Sequence, residues 1–212
     1  MKSLERMTME HALVGRGLGA LEIVSRRLEG GKAVPLAAVQ NLMGFLQVFG
    51  DRYHLAKEEG ILMRGLEEGC VPGPRCDVMN AVGEVDRQHE AARRLLRSMQ
   101  LASVGLEHGR SRHLFVRCSG EYIALMRLLI AEEKDTLIRT ASSTLAERDG
   151  PLERSFRRYL AKEEISETPE QFASEIDGVL SKLSIFVPPA RARAYARGTI
   201  PYHRSTSARI RY

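Results

Sequence analysis

The sequence has no tryptophan, only 6% aromatic residues and three cysteines among 212 residues. Scarce aromatic and β-branched residues argue against an all-β fold, whose pleated surfaces they normally furnish. Three cysteines are too few for a disulfide scaffold. The opening segment MKSLERMTMEHALVG is charged and lacks the apolar core of a signal peptide, so the expected location is the reducing cytoplasm. Cys70 and Cys76 flank a Pro/Gly loop and could in principle pair. The longest uncharged stretch, Ala33 to Gly50, contains Pro35, Gln40, Asn41 and Gln47 and suits a buried helix better than a membrane span. No strand-like alternation and no internal repeat is present. Nucleophile elbows, phosphate-cradling glycine loops and Cys-x-x-Cys pairs are also missing. Gly15, Gly17 and Gly19 follow no strand, so they make no dinucleotide fingerprint and are expected to permit close helix packing instead.

The last segment lacks acid altogether. From Arg191 to Tyr212 there are arginines at 191, 193, 197, 204, 209 and 211 and no Lys, Asp or Glu. Removing these six from the formal charge of +5 leaves −1 for residues 1–190. The basic character therefore belongs to a tail, and a nucleic-acid role for the whole chain does not follow from its charge. Interleaved with Tyr195, Tyr202 and Tyr212, the arginines are expected either to form a solvated extension or to contact an acidic partner, a membrane surface or nucleic acid.

What the chain has in abundance is helical periodicity. Apolar residues recur at helical spacing from Thr8 to about Leu28, ending at Gly30-Gly31. A second helix is predicted from Pro35 to about Leu66 and a third from Cys76 to Leu101, across the connection Gly69 to Arg75. A fourth runs from His113 to Arg148 and stops at Asp149-Gly150-Pro151. Shorter helices follow over 151–163 and 169–184, the latter opened by Thr168, Pro169 and Gln171 as a capping box. Four long helices with short connections predict an all-α protein, an up-down-up-down antiparallel four-helix bundle with additional C-terminal helices. The expected division is a bundle over 1–165, a C-terminal helix over 166–187 and the tail over 188–212.

The chain has six histidines, at 11, 54, 89, 108, 113 and 203. His11 and His54 lie about 17 and about 19 residues from the same connection, or about 26 and about 28 Å along their helices. His54 and His89 are similarly level, so three imidazoles share one layer to within about one turn. His54 and Glu58 form an i, i+4 pair on one face. Helix-borne His and Glu projecting inward build metal sites in bundles, and this donor set suits iron or manganese, with zinc possible. His108 and His113 are expected at the surface. Cys118 is expected as a small buried hydrophobe. The dispersed methionines (7, 9, 43, 63, 79, 99 and 126) are expected as core filler.

These segments resemble the hemerythrin-like (HHE cation-binding) family over about residues 4–162. Glu10-His11 with Leu18, Leu21 and Glu22 resembles the first-helix pattern, and Asp51-Arg52-Tyr53-His54-Leu55-Ala56-Lys57-Glu58-Glu59 the second. Gln88-His89-Glu90 with Arg93 is similar to the third, and Gly120 through Glu133 and Leu137 to the fourth. The resemblance implies non-haem iron, one or two ions, held by His11, His54 and His89 with Glu58 and Glu133 as bridging carboxylates. It also implies binding or sensing of dioxygen, nitric oxide or redox state. Two departures qualify this. Leu129 stands where the family has a fourth-helix His, and Leu62-Met63-Arg64 and Leu137-Ile138-Arg139 replace its Leu-Phe-Pro.

The expected consequence is asymmetry. One metal keeps His11, His54, Glu58 and Glu133, and a weaker or absent second metal keeps His89 and the bridging carboxylates. Glu59 or Glu132 could substitute for the missing ligand. The competing expectation is a metal-depleted helical interaction module acting through its tail, and an enzyme ranks third because no separate substrate constellation is visible. Oligomeric state is open.

Overall fold

The computed structural model describes residues 2–69 and 77–184. Among these every regular element is helical. Helix α1 spans Lys2–Glu29. Helix α2 is one rod over 36–69, regular at Leu36–Phe45 and Arg64–Gly69 but π-helical at Leu46–Leu55 and Glu58–Met63. Helix α3 spans Asp77–Ser103. Helix α4 covers 109–144, with a π-helical stretch at Glu133–Leu137 between Gly109–Glu132 and Ile138–Thr144. After a 3₁₀ turn at Ala146–Arg148 come α5 (Asp149–Lys162) and α6 (Pro169–Ser184).

Two boundaries differ from the sequence expectation for a physical reason. Asp149-Gly150-Pro151 does not end the fourth helix, which stops at Thr144; it forms the first turn of α5, where proline is tolerated. The Asp149 carboxylate also accepts hydrogen bonds from the backbone N–H groups of Lys2 (3.0 Å) and Ser3 (3.1 Å). These are orphan donors of the first turn of α1, so α1 begins six residues earlier than its apolar pattern suggests, capped from across the fold. The box at α6 forms as expected: Gln171 N–H donates to Thr168 Oγ1 (3.4 Å) and Thr168 N–H to Gln171 Oε1 (2.7 Å). The Cys70–Cys76 pair and the tail from 188 onward lie outside the described residues.

Side-chain contacts run in opposite chain order between neighbouring long helices. His11 meets Glu58 while Gly17 meets Phe45; Gln88 meets Glu132 while Met99 meets Ser119. His11 and Glu22 likewise meet Glu133 and Arg127, and Gln47 and Glu59 meet Gln100 and His89. Helix α6 covers α1 and α2, inserting Phe172 against the stacked rings of Phe45, Phe49 and Tyr53. Helix α5 packs on α1 and on the second π stretch of α2.

Two glycines of α1, Gly15 and Gly17, differ in their surroundings. A Cβ on Gly17 would sit 2.5 Å from Phe45 Cε1, a ring held in the aromatic stack, whereas a Cβ on Gly15 would meet nothing within 4 Å. Gly17→Ala should therefore destabilise by about 1–3 kcal/mol despite better helix propensity, and Gly15→Ala should stabilise by up to about 1 kcal/mol. Thermal melts of the two variants should move in opposite directions; a parallel shift would refute the close approach. Methionines 7, 43, 63, 99 and 126 are buried as expected, while Met9 is 65% exposed. Cys118 is buried, and His108 and His113 are at the surface.

The apolar interior falls into two clusters. One is built from residues such as Val14, Leu18, Leu46, Phe49, Ala92, Leu96, Met126 and Leu129. The other contains Leu4, Met7, Leu62, Val85, Leu137 and Phe156. Between them lies a slab of buried polar side chains.

Candidate metal centre

The slab is made by single substitutions in apolar seams. Along α1 the buried positions 4, 7, 11, 14, 18, 21, 25 and 28 alternate spacings of three and four, and His11 takes one of them. Along α3 the series 82, 85, 89, 92, 96 and 99 places His89 in the seam, and on α4 the series 115, 119, 122, 126, 129, 133, 137 and 141 contains Glu133. Helix α2 contributes His54 and Glu58. Glutamate and histidine in such positions are almost wholly removed from water, so they must satisfy one another or hold a cation.

His54, Glu58, His89 and Glu133 are fully buried and His11 is 6% exposed. His11 Nε2 lies 3.3 Å from Glu58 Oε1 and 3.1 Å from Glu133 Oε2, and His54 Nε2 lies 3.7 Å from Glu58 Oε1. One ligand atom from each of His11, His54, Glu58 and Glu133 can be chosen so that all lie within 4.8 Å of one another. Donors about 2.1 Å from a tetrahedral ion stand about 3.4 Å apart, which the three contacts straddle. His89 Nε2 approaches the same carboxylates, at 3.0 Å from Glu133 Oε1 and 3.9 Å from Glu58 Oε2. All five residues singled out in the sequence are therefore brought together. Glu132 is not: it is exposed and accepts from Gln88 Nε2. Leu129 fills the apolar cluster one turn before Glu133.

The seam positions on α2 and α4 sit where the helices are π-helical. His54 falls in Leu46–Leu55, Glu58 opens Glu58–Met63 and Glu133 opens Glu133–Leu137. Hydrogen bonding from i to i+5 changes the angular offset between successive side chains, and such insertions concentrate at functional sites.

A ring of outer partners was not singled out by the sequence reading. Glu10 Oε2 lies 3.2 Å from His54 Nδ1, and Glu10 Oε1 accepts from Lys57 Nζ at 2.5 Å. Lys57 is fully buried, with Nζ 4.4 Å from the Tyr53 ring centre and 5.0 Å from that of Phe156. Burial pulls the Lys57 amine below its ordinary pKa, and Glu10 opposes that pull. On the other side Glu59 Oε1 lies 2.8 Å from His89 Nδ1, so Glu59 orients this histidine and does not substitute for a ligand. Arg93 grips Glu59 with two hydrogen bonds (2.8 and 3.0 Å) and donates through Nε to Asp51 (2.6 Å). One signal was legible: Glu10 and Lys57 are charges embedded between apolar seam residues.

The carboxylates fix the tautomers. With Nδ1–H donated to Glu10, His54 presents the lone pair of Nε2 inward. Among the described residues, His54 Nε2 and Glu58 Oε2 are buried with no hydrogen-bond partner, and Glu133 Oε2 has only His11 Nε2 beside it, at 3.1 Å. A converging set of bare acceptors fits a cation. Without one, protons carry the charge. Burial lowers the pKa of His11, but hydrogen bonds with Glu133 and Glu58 outweigh it and raise it to about 10. The same balance, with Glu133 and Glu59 as partners, raises His89 to about 9. Burial pushes Glu58 up, yet the surrounding histidines His54, His11 and His89 hold it down at about 2.

Comparison with known proteins gives no match: no family model, curated protein or solved structure is similar to the chain. The buried His/Glu group is able to hold a metal ion. Among the described residues no helix is long and apolar enough to cross a membrane.

Proposed function

We propose that the chain is a hemerythrin-like non-haem iron protein of the cytoplasm that binds or senses dioxygen or nitric oxide, or responds to redox state. The opposed run of the neighbouring long helices supports an up-down-up-down four-helix bundle, with α5 and α6 packed outside it. The observation that carries the reading is the pair of buried, unpartnered acceptors His54 Nε2 and Glu58 Oε2, converging with His11 and Glu133. In it His11, His54, Glu58 and Glu133 hold one ion, the division the missing fourth-helix His implies. His89 shares the carboxylates from the far side, where Leu129 offers no donor.

Iron held there supplies a Lewis-acidic centre able to change oxidation state by one electron. The chain's own residues orient and enclose it. Glu10 and Glu59 fix two imidazoles, Lys57 and Arg93 fix those carboxylates in turn, and the apolar clusters exclude water.

Anaerobic reconstitution with ferrous iron followed by elemental analysis should find about one iron per chain, and Leu129→His should raise the content toward about two by restoring a nitrogen donor. A chain that retains no metal after reconstitution overturns the proposal. Optical spectra of the loaded protein before and after air test the iron and dioxygen part separately; zinc binding with no iron-dependent spectral change would leave a metal site of another kind.

A further inference from the structure

The three imidazoles of the site are not held alike. His54 and His89 each have Nδ1 on a carboxylate, and each carboxylate is itself gripped by a cation. His11 Nδ1 is buried and, among the described residues, has no hydrogen-bond partner. A metal-binding histidine without its outer partner is typically about 10- to 100-fold poorer as a ligand. His11 is also the one member of the five with any exposure, at 6% against zero for the others.

The surface over His11 is thin for a specific reason. A helical side chain covers the turn N-terminal to its own Cα, so the residues one turn after His11 ought to roof its ring. The two such positions are Val14, which is fully buried, and Gly15, which is exposed and on which a Cβ meets nothing within 4 Å, so the solvent-side half of that cover is missing. On the other side of His11, Thr8 is exposed as well. Gly15 thus contributes neither helix propensity nor packing, in contrast to Gly17 two residues on, which is pressed against Phe45.

We propose that the Gly15 notch is the mouth of the site and His11 its exchangeable ligand: a compact nitrogen- or oxygen-donor molecule reaches the metal over Gly15 and takes the place of the His11 imidazole, while His54, Glu58 and Glu133 keep their hold. This deepens the metal reading and rests on it. Glu58 and Glu133 supply the anionic part of the grip, so release of one neutral imidazole leaves the charge balance intact. The exclusion by size is set by the missing side chain at position 15, not by any lining residue that moves.

The test uses the full chain loaded with zinc or cobalt(II). Gly15→Leu roofs the notch and, as a helix-favouring exchange at an open position, keeps the fold. It should slow metal release to a chelator by about tenfold or more and weaken the response of the cobalt(II) visible spectrum to added imidazole, at unchanged metal content. His11→Ala should keep its metal, release it about tenfold faster, and bind imidazole more tightly than the wild type, whereas His54→Ala should lose the metal. Wild-type release and imidazole response in Gly15→Leu, or a His11→Ala chain as empty as His54→Ala, would overturn the inference while leaving the metal reading standing. A wild-type chain that takes up neither metal would instead overturn the metal reading, and this inference with it.

Discussion

Glu58→Gln is expected to empty the metal site with almost no change of shape. Glu58 is the hub of the slab, within 3.3 Å of His11, 3.7 Å of His54 and 3.9 Å of His89. Glutamine keeps the volume but removes the negative charge and turns half of the group into a donor, which cannot ligate a cation. Loss of an outer partner already costs about 10- to 100-fold in metal affinity, so loss of this inner carboxylate should cost more than about 100-fold. Elemental analysis should read near zero metal where the wild type reads about one. Retention of wild-type content would remove Glu58 from the ligand set.

The same variant carries a pH signature in the metal-free protein. His11 and His89 have folded pKa values raised to about 10 and about 9, so the stability they confer is complete below their ordinary value near 6.5 and is lost as pH rises through about 9 to 10. Glu58 is depressed to about 2, so its share is present above its ordinary value near 4.5 and is lost as pH falls through about 2. The unfolding free energy of the metal-free wild type, measured by urea titration, should therefore fall between pH 6.5 and 10, by an amount on the order of a few kcal/mol. In Glu58→Gln that decline should be shallower, because one of the two carboxylates holding the His11 proton is gone. Parallel pH curves would contradict the geometry of the slab.

Helix existence and order were legible in the sequence because seam periodicity is a local signal repeated over many turns. The level placement of His11, His54 and His89 was legible for a related reason: axial rise is nearly constant, so counting residues to a shared connection measures depth. Three features resisted that kind of reading. Asp149 caps α1 from across the fold, a contact between residues 147 apart in sequence, so the α1 boundary carried no nearby cue. The π stretches at Leu46–Leu55, Glu58–Met63 and Glu133–Leu137 leave residue spacing unchanged while altering angular placement. Helical spacing alone therefore separated Glu132 from Glu133 poorly; one is exposed and the other buried. The outer partners Glu10, Lys57, Glu59 and Arg93 were visible as charges, but their roles depend on which neighbouring helix each one faces.

The largest effect on folding should come from Lys57→Met. Lys57 and Glu10 form an ion pair with both side chains about 1% exposed, on the boundary between the polar slab and the cluster around Phe156. Methionine matches the length and packs well against Tyr53 and Phe156, so the change leaves little cavity. It does leave Glu10 as a buried carboxylate without its cation, with the His54 imidazole as its remaining partner. Breaking one side of a buried pair typically costs about 3–5 kcal/mol. At about 2–4 °C per kcal/mol for a chain of this size, the melting temperature should drop by about 6–20 °C. Glu10→Gln in the Lys57→Met background removes the stranded charge and should recover about half of the loss or more, since neutral replacement of both partners is often tolerated. The double-mutant cycle distinguishes this from simple repacking: additive losses would mean that the pair is not coupled, whereas recovery places its role in orienting His54. The recovered double variant should still bind metal less tightly than the wild type by about 10- to 100-fold, because a glutamine amide is a weaker acceptor for the Nδ1–H that sets the His54 tautomer.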